Sequence, residues 1–177
     1  MRAVDYRAVL SFAMVLAGLK ISGAQVQAAG IIGQPAPALS VETLDGQSFD
    51  LAARRGKVVI VAFWATWCPP CRSEMPVLDA FYRRYHTQGL ELIALSTDDA
   101  RARSEVVKVM KSFSYPGALA DDATANGFGD PSALPVTYVV DTRGIVRARL
   151  AQDAGVVTET SLSQAVLHLL PRTDHPS

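Results

Sequence analysis

An apolar run rich in β-branched residues extends from Val58 to Trp64. A run of this kind, without polar alternation, is typical of a strand that is buried on both faces of a sheet. Beyond Cys71 the apolar residues recur every three or four positions, which predicts a helix over residues 71–86. The apolar positions of this helix are Met75, Leu78, Phe81, Tyr82 and Tyr85. The pattern therefore predicts a central strand that leads directly into a helix.

Before this strand, two short segments of alternating apolar residues flank an Asp45-Gly46 turn. Leu39 and Val41 precede the turn, and Phe49 and Leu51 follow it. Asp-Gly between alternating apolar residues is a strong hairpin signal. We therefore expect an N-terminal β-hairpin.

The rest of the chain alternates between strand-like and helix-like segments. The predicted strands cover residues 90–96, 118–120, 136–140 and 145–150, and the predicted helices cover residues 102–114, 122–128 and 160–170. Asp98 or Asp99 can cap the first of these helices, and Ser161 (in a capping box with Gln164) or Thr158 can cap the last. Strands that alternate with helices predict an α/β fold.

The first residues have the pattern of an export signal. Arg2 and Arg7 precede an apolar segment at residues 8–19, and Val26 and Ala28 fit the small-x-small rule before a cleavage site. We interpret residues 1–28 as a signal peptide, with cleavage after Ala24 and an uncleaved anchor helix as the alternatives. Residues 29–171 then form one domain and residues 172–177 a flexible tail. The expected location is the periplasm.

Composition excludes several classes of protein. The chain has 177 residues and a formal net charge of zero, so nothing indicates binding to nucleic acid. Its only cysteines are Cys68 and Cys71, which excludes a multi-disulfide scaffold and a Cys-rich zinc site. None of the three histidines, His86, His168 and His175, has ligand spacing to the cysteines. We therefore expect neither a metal site nor a cofactor.

The two cysteines lie where the central strand passes into the helix. A helix N-terminus offers free N–H groups and a partial positive charge, and both favour a thiolate. Cys68 lies at the junction and is expected to attack, whereas Cys71, one turn further on, is expected to be more buried and to resolve the mixed disulfide. An inert structural disulfide is the alternative for this pair.

The segment FWATWCPPC resembles the active-site segment of thioredoxin-like proteins, and WCPPCRSEMP is most similar to the TlpA/ResA branch of exported thiol–disulfide oxidoreductases. The resemblance covers residues 32–170. It implies a thioredoxin-like fold: a central mixed β-sheet flanked by helices, with an N-terminal β-hairpin and a central strand–helix insert. The helix of that insert is the segment predicted at residues 122–128.

The resemblance also implies further site residues. Pro135 matches the proline that is cis in thioredoxin-like proteins, and Leu134 before it would offer its backbone groups to an incoming peptide. Trp67, Pro69 and Pro70 are expected to contribute to the same docking surface. We assign Trp64 to the core, although core packing is also an alternative for Trp67.

At one position the sequence departs from thioredoxin. Thioredoxin has a buried Asp that assists proton transfer to the resolving thiol, and Ala62 occupies the matching position here. In the resembled branch an acidic residue after the second buried strand can approach the dithiol instead. We assign this role to Asp99, with helix capping as its alternative. Glu74 is a second candidate, but its position predicts a side chain that faces solvent.

The leading functional hypothesis is a periplasmic reductant of disulfides in exported proteins, as in cytochrome c maturation or metal-site assembly. Its expected partners are a disulfide-bearing exported protein and a membrane dithiol electron donor, and the chain is expected to be a monomer. One alternative is a peroxiredoxin-type peroxidase, but Ala65 stands where those proteins have a threonine, and Thr66 is one residue out of register. The other alternative is a copper(I) carrier that uses the same dithiol.

Overall fold

The structure is a computed structural model that describes residues 30–171. The predicted signal peptide at residues 1–28 and the predicted tail at residues 172–177 lie outside the described residues. The strands are β1 (Leu39–Glu42), β2 (Ser48–Asp50), β3 (Val58–Trp64), β4 (Leu90–Ser96), β5 (Gly117–Leu119), β6 (Ala123–Asn126), β7 (Val136–Val140) and β8 (Val146–Ala151). The helices are α1 (Pro69–Tyr85), α2 (Arg103–Met110) and α3 (Glu159–Val166).

A mixed five-stranded sheet in the order β5-β4-β3-β7-β8 forms the centre of the fold. β3 pairs with β4 in parallel and with β7 antiparallel, and all seven of its residues are buried. Trp64 is the last residue of β3, and the turn that leads to Cys68 starts directly after it. The predicted α/β fold with a central mixed sheet is confirmed.

A second, smaller sheet has the order β2-β1-β6. β1 and β2 pair antiparallel, which confirms the predicted N-terminal hairpin. The predicted helix over residues 122–128 is wrong, because this segment forms a 3-10 turn at Ala120–Asp122 and then strand β6, which pairs with β1. A helix of seven residues is marginal by itself. The free edge of β1 offers the same backbone groups hydrogen-bond partners, and the strand forms instead.

Most helix boundaries differ from the predictions by a few residues. α1 begins at Pro69 rather than Cys71, because Cys68 acts as its N-cap. α2 follows a 3-10 turn at Ala100–Ala102 and ends at Met110. α3 is capped by Thr158, whose side chain forms a capping box with Ser161, so the alternative cap is the one observed.

The residues of β3 alternate between two apolar cores. Ile60, Ala62 and Trp64 pack on the side of α1, α2 and α3, whereas Val61 and Phe63 pack on the side of the small sheet. This alternation follows from the period of a strand. Within residues 30–171, no helix is both long enough and apolar enough to cross a membrane.

Candidate active site

The site begins at the turn that joins β3 to α1. The amide of Cys68 donates to the carbonyl of Ala65 at 3.1 Å, which closes the turn. Cys68 is the N-cap of α1 and forms a disulfide with Cys71. The amide of Cys71 also donates to Sγ of Cys68 at 3.3 Å. The sulfurs therefore lie at the N-terminus of a helix, as the sequence predicts.

Pro69 and Pro70 occupy the first two positions of α1. Proline suits the first turn of a helix, because the N–H groups there have no partner within the helix. Both prolines are exposed. The first helical residue that can donate an N–H group to Cys68 is therefore Cys71.

In this disulfide form both cysteines are buried, with 3% of Cys68 and 1% of Cys71 exposed. The predicted difference in burial is thus too small to distinguish their roles. Trp67, which directly precedes Cys68 in the chain, is 69% exposed. Trp64 is buried in the core, as predicted. The exposure of Trp67 rules out the core-packing alternative, and its docking role remains a prediction.

The peptide bond between Leu134 and Pro135 is cis, as the resemblance implies. Pro135 is buried and directly precedes β7. Pro135 and Cys71 line the same small cavity. The use of Leu134 for peptide binding remains a prediction.

Several strands contribute to the walls of this cavity. Ala62 of β3 pairs with Ala94 of β4 on one side and with Thr137 of β7 on the other, and all three residues line the cavity. Trp64 and Glu74 line the same cavity. Because position 62 is an alanine, the strand itself brings no carboxylate to the dithiol.

Glu74 supplies the carboxylate instead. The prediction that it faces solvent is wrong, because only 9% of Glu74 is exposed. Its position three residues after Cys71 places both side chains on one face of α1, where Cβ atoms are about 5–6 Å apart. The amide of Val157 donates to Oε1 of Glu74 at 3.0 Å. Burial raises the pKa of Glu74, and the hydrogen bond from Val157 opposes this shift without cancelling it.

Asp99 has a different environment from the one its predicted role requires. Its carboxylate is exposed, pairs with the guanidinium of Arg101 at 3.0 Å and accepts the amide of Arg101 at 2.9 Å. These hydrogen bonds from Arg101 lower the pKa of Asp99. Asp99 does not line the cavity beside Cys71. This placement corrects the proton-relay prediction, since a surface carboxylate held by a guanidinium is a poor proton acceptor. Asp99 caps the 3-10 turn at Ala100–Ala102 that precedes α2, whereas the N-cap of α2 itself is Ala102, which forms no side-chain cap hydrogen bond.

Its neighbour Asp98 is buried and contacts the active-site turn. The carboxylate accepts the amide of Thr66 at 2.8 Å, the hydroxyl of Thr66 at 2.7 Å and the hydroxyl of Ser96 at 2.6 Å. Thr66 lies two residues before Cys68. Sequence reasoning considered Asp98 only as a helix cap or as part of the acidic region, and no local pattern distinguishes it from Asp99.

The spacing between Cys71 and Glu74 in the sequence is enough to predict that Glu74 faces the core. An acidic residue three positions after Cys71 lies on the helix face that the cysteine occupies, and the apolar positions of α1 show that this face is turned to the core.

Within residues 30–171, no cluster of three or more His, Cys, Asp or Glu side chains is arranged to hold a metal ion.

Residues 32–149 match the model of the AhpC/TSA family. The thiol-disulfide oxidoreductase ResA of Bacillus cereus is 32% identical over 115 residues, which cover 65% of this chain and 66% of that protein, just under two thirds of its length. The ResA protein of Bacillus subtilis is 30% identical over 138 residues, covering 77% of this chain and 72% of the relative.

The fold also matches solved structures. The crystal structure of a thiol:disulfide interchange protein of the thioredoxin family from Chlorobium tepidum has a TM-score of 0.65 and 30% sequence identity. The match covers 76% of this chain and 94% of that one. The chain therefore belongs to the AhpC/TSA family and, within the thioredoxin superfamily, to the branch of ResA-like thiol–disulfide oxidoreductases.

Proposed function

We propose that this protein is an exported reductant of protein disulfides that works through Cys68 and Cys71. The observation that carries the proposal is the position of the dithiol at the N-terminus of α1, next to Pro135 and the exposed Trp67. A helix N-terminus stabilises the attacking thiolate, and an exposed aromatic side chain beside it offers a contact for a partner protein.

The reaction consists of two exchanges. The thiolate of Cys68 attacks one sulfur of the partner disulfide, so a mixed disulfide forms and the other partner sulfur leaves as a thiolate. Cys71 then loses its proton, and its thiolate attacks Sγ of Cys68 and releases the second partner thiolate. The partner gains two electrons and two protons, and the Cys68–Cys71 disulfide seen in the structure is the oxidised product.

Glu74 is the group we assign to the proton of Cys71. It lies on the cavity wall that Cys71 also lines, and its raised pKa makes it a better proton acceptor than an ordinary carboxylate. Ala62 leaves the neighbouring strand without a competing base.

The direction of electron flow follows from the two prolines between the cysteines. Pro69 and Pro70 have no N–H group, so two donors that would stabilise a Cys68 thiolate are missing. A less stabilised thiolate makes the dithiol form less stable relative to the disulfide, and the protein tends to give up electrons. We expect a reduction potential near that of thioredoxin, about −270 mV, and far from the value of a strong oxidant, about −120 mV.

The location and partners complete the proposal. The pattern of residues 1–28 supports export to the periplasm, by a cleaved signal or an anchor. Because that compartment is oxidising, a membrane dithiol donor must reduce the Cys68–Cys71 disulfide. The substrates we propose are disulfides of exported proteins, such as those in cytochrome c maturation or metal-site assembly.

A redox titration tests the direction. Trp67 lies next to Cys68 in the chain, so its fluorescence is expected to change when the disulfide is reduced by dithiothreitol or glutathione. A midpoint near −270 mV, together with reduction of insulin disulfides, supports the proposal; a midpoint near −120 mV contradicts the reductant assignment. The Trp67→Phe variant is the control that assigns the signal.

A peroxidase of the peroxiredoxin type is the second candidate, because the matching family model is that of AhpC/TSA. In this structure Cys68 forms a disulfide with the cysteine three residues further on, and Ala65 stands where such peroxidases have a threonine. We therefore expect no peroxide-dependent turnover. Peroxide consumption by the reduced protein, compared with that of Cys68→Ser, separates the two functions.

A further inference from the structure

Asp98 is a buried carboxylate whose hydrogen bonds join two parts of the fold. It follows β4, and 5% of the residue is exposed. Its Oδ2 accepts the amide of Thr66 and the hydroxyl of Ser96, and its Oδ1 accepts the hydroxyl of Thr66. Two of these three bonds go to one residue of the turn that precedes Cys68.

The surroundings of Asp98 make these bonds energetically important. A buried carboxylate is costly unless it is paired or fully hydrogen-bonded. Within residues 30–171, no Lys, Arg or His side chain lies within ion-pair distance of Asp98. The hydroxyl and amide donors of Thr66 and Ser96 therefore stabilise the charge, and Asp98 in turn holds Thr66 in place.

A second link strengthens the connection between β4 and the turn. The amide of Thr97 donates to the carbonyl of Trp64 at 2.9 Å, and the amide of Cys68 donates to that of Ala65 at 3.1 Å. The turn between Trp64 and Cys68 is thus fixed at its start by Thr97, in its middle by Asp98 and at its end by its own closing hydrogen bond.

We propose that Asp98 is a positioning residue that holds the turn before Cys68, and thereby keeps the sulfur of Cys68 at the N-terminus of α1. The inference rests on the proposed function, because it concerns the reactivity of the same dithiol. Pro69 and Pro70 leave Cys71 as the first residue of α1 whose N–H reaches Cys68. Among the described residues 30–171, the amide of Cys71 is the one hydrogen-bond donor to Sγ of Cys68, and a small displacement of the turn removes it.

Two pairs of variants test this role. Thr66→Val removes the hydroxyl that Asp98 accepts but keeps the shape and the charge, and Thr66→Ser restores the hydroxyl. Asp98→Asn removes the buried charge, and Asp99→Asn makes the same change one residue further on, where the carboxylate contacts only Arg101 and its own turn. Each variant is made in the Cys71→Ser background, so that Cys68 is the only thiol.

The readout is the rate of alkylation of Cys68 by iodoacetamide between pH 5 and pH 9, which gives the thiolate fraction and its reactivity. We expect Thr66→Val and Asp98→Asn each to slow alkylation at pH 7 about tenfold, since a misplacement of about 1 Å can lower a rate by up to about a hundredfold. The variant that combines Thr66→Val with Asp98→Asn is expected to be alkylated no more slowly than the slower of the two single variants. Thr66→Ser and Asp99→Asn are expected to stay within about twofold of the parent.

Equal rates for Thr66→Val and Thr66→Ser would overturn the proposal, and so would additive effects in the double variant. Faster alkylation in Asp98→Asn with no change in Thr66→Val would also overturn it, because Asp98 would then act through its charge alone. If Asp98→Asn does not fold, the two Thr66 variants still decide, because Thr66 is only partly buried. Alkylation requires no disulfide substrate, so this result is independent of whether the wild-type protein reduces insulin.

Discussion

Oε1 of Glu74 accepts the amide of Val157 at 3.0 Å, and this bond joins α1 to the segment that precedes α3. Glu74 lines the same small cavity as Cys71, and one oxygen of its carboxylate is already occupied by a backbone donor. Burial raises its pKa in spite of that bond. In the mechanism that we propose, this carboxylate accepts the proton of Cys71.

Replacing Glu74 with Gln removes the proton acceptor but keeps an oxygen for the amide of Val157. We expect the resolving step to slow about a hundredfold at pH 7, because general bases contribute factors of about 10² to 10⁴. Stopped-flow measurement of the Trp67 signal during reduction of a model disulfide checks this. Glu105→Gln, an exposed change on α2, is the control. An unchanged rate in Glu74→Gln would remove Glu74 from the mechanism.

The same variant is expected to change how stability depends on pH. The folded-state pKa of Glu74 lies above the unfolded value, so its contribution to stability is fully present below the unfolded pKa and is lost as pH rises through the folded pKa. Gln does not titrate. The free energy of unfolding of oxidised Glu74→Gln, relative to wild type, is therefore expected to rise between pH 4 and pH 8. Urea unfolding at both values checks this, and a constant difference would contradict it.

The roles of the two cysteines are tested by trapping. Cys71→Ser is expected to accumulate mixed disulfides with partner proteins through Cys68, because the resolving thiol is absent. Cys68→Ser is expected to accumulate none. Non-reducing gels followed by mass spectrometry of the trapped species detect them. The reverse pattern would show that Cys71 is the attacking thiol.

Asp141 is expected to stabilise the turn between β7 and β8. Its carboxylate accepts the amides of Arg143 and Ile145 at 2.9 Å and Nε of Arg147 at 2.6 Å. Partial burial opposes the shift, but these donors lower the pKa of Asp141. Replacing Asp141 with Ala is expected to reduce the free energy of unfolding at pH 7 by about 2 kcal/mol, since three partly buried hydrogen bonds lose their charged acceptor.

The pH dependence gives this prediction a second check. A lowered folded-state pKa means that the contribution of Asp141 is present above its unfolded pKa and is lost as pH falls through the folded pKa. The difference between wild type and Asp141→Ala is therefore expected to shrink between pH 5 and pH 2. Asp153→Ala, which removes an exposed partner of Arg149, is the control and is expected to have little effect.

The sequence by itself determined the central strand, the hairpin and the position of the dithiol. The residues of β3 form an unbroken apolar run, and those of α1 have a helical period, so the point where one passes into the other is visible locally. The bounds of β3, β4 and β7 were predicted to the residue. Each of these features depends on side chains that are near neighbours in the chain.

Tertiary structure decided the features that depend on distant partners. Residues 123–126 form a strand rather than part of a helix because the edge of β1 is available to pair with them. Asp98 and Asp99 are adjacent and chemically identical, yet one is buried against Thr66 and the other is exposed beside Arg101. Beyond Ser96 the strand has ended, so no local period indicates which carboxylate turns inward. The donors of Thr66, which lie 32 residues earlier in the chain, make that choice.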